Sequence, residues 1–214
     1  MIIPLFIYFI ALSLLASLTI LFFPSNRLYL KIFPFFLFIT FVIECISAYM
    51  SSQNLHNITL YNFFSVFEMV FYFFVLSEVI LKKSIKKIVR SLIWIYPLIF
   101  LFNIFFIQTE NFHSMTYALG CLLIVTICIY YFFELFQLSH SVSLLHEPAF
   151  WICSGLLFFY TVSFPIFGLV NFLERMPRFI LNNLTAILTV MNVSLYSLLT
   201  IALLCRIRIR KSML

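Results

Sequence analysis

Aspartate is absent from this chain of 214 residues, and all seven acidic residues are glutamate. Its absence excludes chemistry built on paired or phosphorylated aspartates, such as aspartyl intramembrane proteolysis and aspartyl-phosphate pumping. Glycine is scarce, with only Gly120, Gly155 and Gly168. A glycine-rich loop around a phosphate and a G-x-x-x-G helix-pairing face are therefore both ruled out. Charged residues make up 9% of the chain, against about 25% in a soluble domain. That composition excludes an ordinary soluble globule, a disordered tail and a nucleic-acid-binding domain. The five cysteines form no C-x-x-C pair and all lie in apolar runs, so they read as small buried hydrophobes and neither a disulfide frame nor a zinc site.

What is present is apolar. Hydrophobic residues reach 64%, aromatic residues 20%, with 30 phenylalanines, and the mean hydropathy is +1.16. A helix needs roughly 20 apolar residues to cross the hydrocarbon of a bilayer. Seven runs meet that need, at about Ile2–Phe23, Ile32–Met50, Leu60–Leu81, Ile88–Ile107, Met115–Leu138, Pro148–Phe172 and Phe179–Cys205. They are too long and too continuous for barrel strands, which would alternate over about 10 residues. The expectation is an all-α polytopic bundle of seven transmembrane helices forming one domain over residues 1–214. The first run has no positive stretch before it and is longer than a signal-peptide core, so it reads as a retained helix.

Lysine and arginine give the orientation. Eleven of the thirteen fall on one side, in Arg27 and Lys31, in the run Lys82–Arg90 and in the tail Arg206–Lys211, while Arg175 and Arg178 fall on the other. The positive-inside rule then puts the N-terminus outside and the C-terminus in the cytoplasm. Pro34 and Pro148 are expected at the starts of spans 2 and 6, where a helix tolerates proline. Pro97 and Pro165 fall inside spans. Span 7 contains no lysine, which excludes a retinal Schiff base.

Polar residues inside the spans are costly and usually face a bundle interior or a cavity. In span 3, Tyr61, Ser65, Glu68 and Tyr72 share one helix face, and in span 2 Thr40, Glu44, Ser47 and Ser51 do the same. The hairpin between these spans is short, so the two glutamates are expected to line one polar pocket in the outer half. Thr185, Thr189, Asn192 and Tyr196 form a third stripe in span 7, and Asn103 in span 4 lies near the same depth. Candidate binding residues are Glu44, Glu68, Tyr61, Ser65, Tyr72, Asn103, Asn192 and Tyr196. Three uses fit these stripes: hydrogen-bonded glue between helices, a ligand or signal pocket, and an ion or proton path. Glu134, with Tyr130 and Gln137, reads as an interfacial residue that snorkels. All four histidines fall in loops, and no catalytic constellation, metal site or cofactor is expected.

The pattern Tyr61-Asn62-x5-Glu68, together with Pro148-x-Phe150-Trp151-Ile152, resembles a group of small uncharacterised bacterial membrane proteins. Their spans are similar to the membrane regions ahead of some sensor histidine kinases. The resemblance implies a seven-span protein of a bacterial inner membrane that receives a signal without a fused kinase. Output would then need a cytoplasmic protein partner, through Lys82–Arg90 and the basic C-terminus. The expected function is a non-enzymatic sensory or accessory membrane protein; the alternative is a small transporter or oligomeric channel, including a membrane effector of a defence system. Its surroundings are the lipid bilayer, with oligomerisation allowed and nucleic acid excluded.

Overall fold

The computed structural model describes residues 4–22, 27–108, 112–137, 144–168 and 178–212, and the side chains of these except 21–22, 178–182 and 206–212. His140, Arg175 and the parts of the first, fifth and sixth apolar runs at Ile2, Ile3, Phe23, Leu138 and residues 169–172 lie outside the described residues. So do the side chains of Arg178, Arg206, Arg208, Arg210 and Lys211.

Among the described residues the regular structure is entirely helical. The helices are α1 (Leu5–Phe22), α2 (Leu28–Ser52), α3 (Ile58–Val79), α4 (Lys83–Phe106), α5 (Ser114–Gln137), α6 (Pro148–Gly168) and α7 (Arg178–Ser212). A single 3-10 turn, Leu144–His146, precedes α6. Six helices carry stretches long and apolar enough to cross a membrane, while the apolar part of α1, Leu5–Ile20, is shorter. The physical reason for an all-helical answer is that hydrocarbon offers no partner for backbone N–H and C=O groups, and a helix satisfies them within itself.

The helices run up and down. At one end, Ser47 of α2 bonds Tyr61 of α3, and Asn103 of α4 bonds Thr116 of α5. At the other end, Arg27 ahead of α2 forms a two-pronged ion pair with Glu147 ahead of α6, and Glu134 of α5 meets the α3–α4 link. α7 packs against α1 and α6, and α6 against α5. The α1–α7 contact has a polar clamp in which Ser13 Oγ donates to the Tyr196 carbonyl at 2.7 Å and lies 2.8 Å from Thr200 Oγ1.

The core is aromatic. Phe36 stacks on Phe71 at 3.8 Å between centroids, and Tyr72 meets Phe36, Phe71 and Tyr160 edge-on at 5.3, 5.6 and 5.9 Å. Such pairs add about 0.5–1.5 kcal/mol each beyond their burial. The outward faces are also apolar. Phe105 and Phe106 are 70% and 74% exposed, a surface suited to the hydrocarbon of a bilayer. Cys121, Cys128 and Cys153 are buried and free, as small hydrophobes in the core.

Two expectations are corrected. Pro34 is not at a helix start: α2 begins at Leu28, and Pro34 lies in its second turn. The helix starts early because its first turn buries Tyr29 and Leu30, which offsets the one hydrogen bond that proline cannot donate. Pro148 does open its helix, and Pro97 and Pro165 lie inside theirs. Second, most of the basic run Lys82–Arg90, which leads into the apolar run at about Ile88, is itself helical. From Lys83 onward it forms the first turns of α4. Cations there oppose the helix dipole, and acids from other helices compensate. Glu78 of α3 accepts from Lys86 at 3.2 Å and Arg90 at 2.5 Å. Glu134 of α5, expected only to snorkel, accepts the backbone N–H groups of Leu81 and Lys82 at 2.9 and 3.0 Å.

Candidate functional site

At the end of the bundle away from the basic run, a cavity of about 310 Å³ is lined by α1, α2, α3, α6, α7 and the start of α5. Its polar lining is Glu44, Asn57, Tyr61, Ser65, Glu68, Tyr117, Asn192 and Tyr196; its apolar lining is Phe6, Ile58, Phe64, Phe112, Phe159 and Phe167. Glu44, Asn57 and Tyr61 are shared with an adjoining recess of about 450 Å³ that reaches Ser51 and Ser52 at the end of α2. Glu44 thus stands between the recess and the chamber, and Glu68 is 8% exposed within it.

The α2–α3 hairpin positions the first carboxyl. Asn57 Nδ2 donates to Ser47 Oγ at 2.8 Å, Ser47 Oγ to the Tyr61 hydroxyl at 2.8 Å, and the Tyr61 hydroxyl to Glu44 Oε2 at 3.0 Å. Each hydroxyl both accepts and donates, so the relay fixes Glu44 from one side only and leaves the rest of the carboxyl toward the chamber. The second carboxyl sits two helical turns further along α3, beside the Tyr160 hydroxyl of α6.

Six of the eight candidate residues line this one cavity: Glu44, Tyr61, Ser65, Glu68, Asn192 and Tyr196. Two do not. Tyr72 lies one turn below Glu68, fully buried in the aromatic core, and its hydroxyl has no partner. Asn103 is turned toward α5, where its Nδ2 donates to Gln108 Oε1 at 2.9 Å and Thr116 Oγ1 at 2.6 Å. It joins α4 to α5, so its depth matches the cavity but its direction around the helix axis does not. In the span 7 stripe only Asn192 and Tyr196 reach the chamber; Thr185 is exposed on the outer face.

His113, expected in a loop, is fully buried one residue before α5. Its Nε2 lies 2.7 Å from Ser65 Oγ and 3.1 Å from the Asn62 carbonyl, and its backbone N–H donates to Asn62 Oδ1 at 3.2 Å. Ser65 Oγ itself donates to the Asn62 carbonyl, which leaves it to accept from an Nε2–H. His113 Nδ1 is buried without a partner among the described residues, so a second proton there would find no acceptor and the neutral ring is favoured; Phe100 and Phe112 pack on it at 4.8 and 4.9 Å. Burial pushes the His113 pKa down to about 4. Between pH 6.5 and 4 the unfolded chain then holds a proton at this site that the folded chain does not. Stability is expected to fall as the pH drops through that window, by on the order of 3 kcal/mol at most. Melting curves of wild type and His113→Asn in detergent should therefore converge toward acid pH; parallel curves would remove the histidine from the explanation.

Among the described residues no three histidine, cysteine or acidic side chains are grouped to hold a metal ion. The chamber offers carboxyl and hydroxyl oxygens, two amides and ring faces, and Ser65 on its wall is held by His113 from behind. Comparison with family models, curated proteins and solved structures gives no match to this chain.

Proposed function

We propose that this protein is a non-enzymatic membrane receptor or accessory subunit whose chamber takes a small organic cation with an apolar body. One observation carries the reading: two carboxyls, Glu44 and Glu68, face one cavity whose remaining wall is largely aromatic, including Phe64, Phe112, Phe159 and Phe167. Carboxyl oxygens and ring faces both attract positive charge, and desolvation strengthens each. A volume near 310 Å³ is at the small end of ligand pockets. The orientation that belongs to this reading is N-outside and C-inside, which the lysine and arginine count supports; the bacterial inner membrane is what the resemblance implies. That orientation opens the chamber toward the outside, where a signal would arrive. Output would pass through the basic turns of α4 to a cytoplasmic partner, as the resemblance to sensor membrane regions implies.

The test is calorimetric binding to the purified protein in detergent with three aromatic probes of different charge. These are benzyltrimethylammonium, its uncharged carbon isostere neopentylbenzene, and benzoate. The expected order is cation well above isostere, with no benzoate binding. Equal binding of cation and isostere would sink the charge argument. The same cation supplied to proteoliposomes separates the two functional classes: saturable binding without flux supports a receptor, and flux would make the protein a transporter.

A further inference from the structure

At the opposite end, among the basic turns, a second cavity of about 470 Å³ lies between the start of α2, the ends of α3 and α5, and the start of α6. We propose that it is a binding site for an aminophospholipid headgroup, an ammonium two carbons from a phosphate. The inference is independent of the ligand assigned to the first chamber and of the protein's orientation.

Three observations lead to it. The cavity wall carries three carboxylates, Glu78, Glu134 and Glu147, against one cation, Arg27. Each carboxylate already has a donor: Glu78 from Lys86 and Arg90, Glu134 from two backbone N–H groups, Glu147 from Arg27. Arg27 donates from the wall itself, while Lys86 and Arg90 approach Glu78 from α4 outside the lining and form a cationic rim there. The third observation is Tyr131 on the same wall. It is 6% exposed, and its hydroxyl has no hydrogen-bond partner. An unpaired buried hydroxyl costs about 1–3 kcal/mol, a penalty that a polar occupant would remove.

The occupant follows from the charge order. An excess of acid inside calls for a cation with hydrogens to donate to carboxylate and phenol oxygens. The surrounding Lys86, Arg90 and exposed Lys82 and Lys83 call for an anion just outside. A primary ammonium and a phosphate on one short linker satisfy both at once. The apolar part of the wall, Leu28, Val79 and Leu135, would hold the start of the acyl chains. Basic residues next to spans mark the headgroup level of a bilayer, which is where such a group is supplied. A choline headgroup has no N–H to donate, and a glycerol headgroup has no cation.

The experiment is native mass spectrometry of the full chain in detergent with dioctanoyl phosphatidylethanolamine, phosphatidylcholine and phosphatidylglycerol at equal concentrations. Free phosphoethanolamine is added as a competitor. Expected are retention of the ethanolamine lipid about 10-fold above the other two and little displacement by the free headgroup at equal concentration. Tyr131→Phe is expected to reduce that preference about 5-fold, with a melting temperature without lipid equal to or above wild type, because it deletes an unpaired group. Equal retention of all three lipids overturns the proposal, as does a preference unchanged by Tyr131→Phe. Displacement by free phosphoethanolamine would overturn the lipid assignment in favour of a soluble ligand. The wild-type ranking decides the matter even if the variant does not fold.

Discussion

Glu68→Gln is expected to lower affinity for benzyltrimethylammonium by on the order of 10- to 100-fold, the worth of one charged partner in a desolvated site. The substitution keeps the shape and both polar atoms of the side chain, so the melting temperature should change little. Glu68 is nearly fully buried beside Tyr160 and aromatic rings, where water screens least. Glu44→Gln should cost less, because Glu44 is only partly buried and stands toward the adjoining recess. Tyr61→Phe separates charge from positioning. It leaves both carboxyls and removes the donor that orients Glu44, so affinity should fall several-fold with the preference for cation over neutral isostere retained. Calorimetry on the three variants checks this order. A Glu68→Gln protein that binds the cation as wild type does would remove the chamber's acid from recognition and return both glutamates to the role of interhelical glue.

That order depends on a part of the site that could be read directly from the sequence. Tyr61, Ser65 and Glu68 sit at helical spacing within an apolar run, and a helix must place them on one face. The short link between α2 and α3 then brings Glu44 to the same chamber. The helices themselves were equally legible, because hydrocarbon allows a long apolar run few other conformations. Other features carried no such signal. Phe6, Phe112, Phe159 and Phe167 line the chamber, yet in a chain with 30 phenylalanines nothing local distinguishes a cavity wall from a lipid-facing ring. In a membrane the outside of the bundle is as apolar as its core, so hydropathy fixes depth and leaves rotation about the helix axis open. Asn103 shows this: it lies at the chamber's end of the bundle and is turned toward α5 instead.

Long-range pairing explains the other differences. His113 has its partners Asn62 and Ser65 some 50 positions earlier in the chain, and a histidine outside an apolar run reads as exposed unless that pairing is known. The second cavity draws Arg27, Glu78, Glu134 and Glu147 from four separate segments. Each one, taken alone, is an ordinary charge at a membrane interface. Only the fold shows that three acids and Arg27 share one wall while Lys86 and Arg90 stand outside it.

Gly120→Leu is expected to be the most damaging single substitution for stability, costing about 2–4 kcal/mol. Gly120 lies in α5 at its contact with α3 and α4. A Cβ at this position would meet the Tyr96 hydroxyl at 2.8 Å and Met69 Sδ at 2.9 Å. Both neighbours are fully buried. The Tyr96 hydroxyl also donates to the Thr116 carbonyl at 3.1 Å, so moving it breaks a buried hydrogen bond between α4 and α5. Met69 follows Glu68 on α3, and displacing it shifts the helix that carries the deeper carboxyl. Gly120→Ala should do less harm, because the methionine chain can bend around one methyl group. Gly168→Ala is the control, since among the described residues its Cβ would meet only the Ala118 methyl at 3.8 Å, an ordinary contact worth less than about 0.5 kcal/mol either way. Thermal unfolding in detergent should therefore rank wild type and Gly168→Ala together, Gly120→Ala below them and Gly120→Leu lowest. Cation affinity should fall with Gly120→Leu even in the fraction that stays folded, because α3 is held at the chamber by the close approach of α5 that only glycine allows. Coincident melting curves for Gly120→Leu and Gly168→Ala would show that the two helices do not meet there.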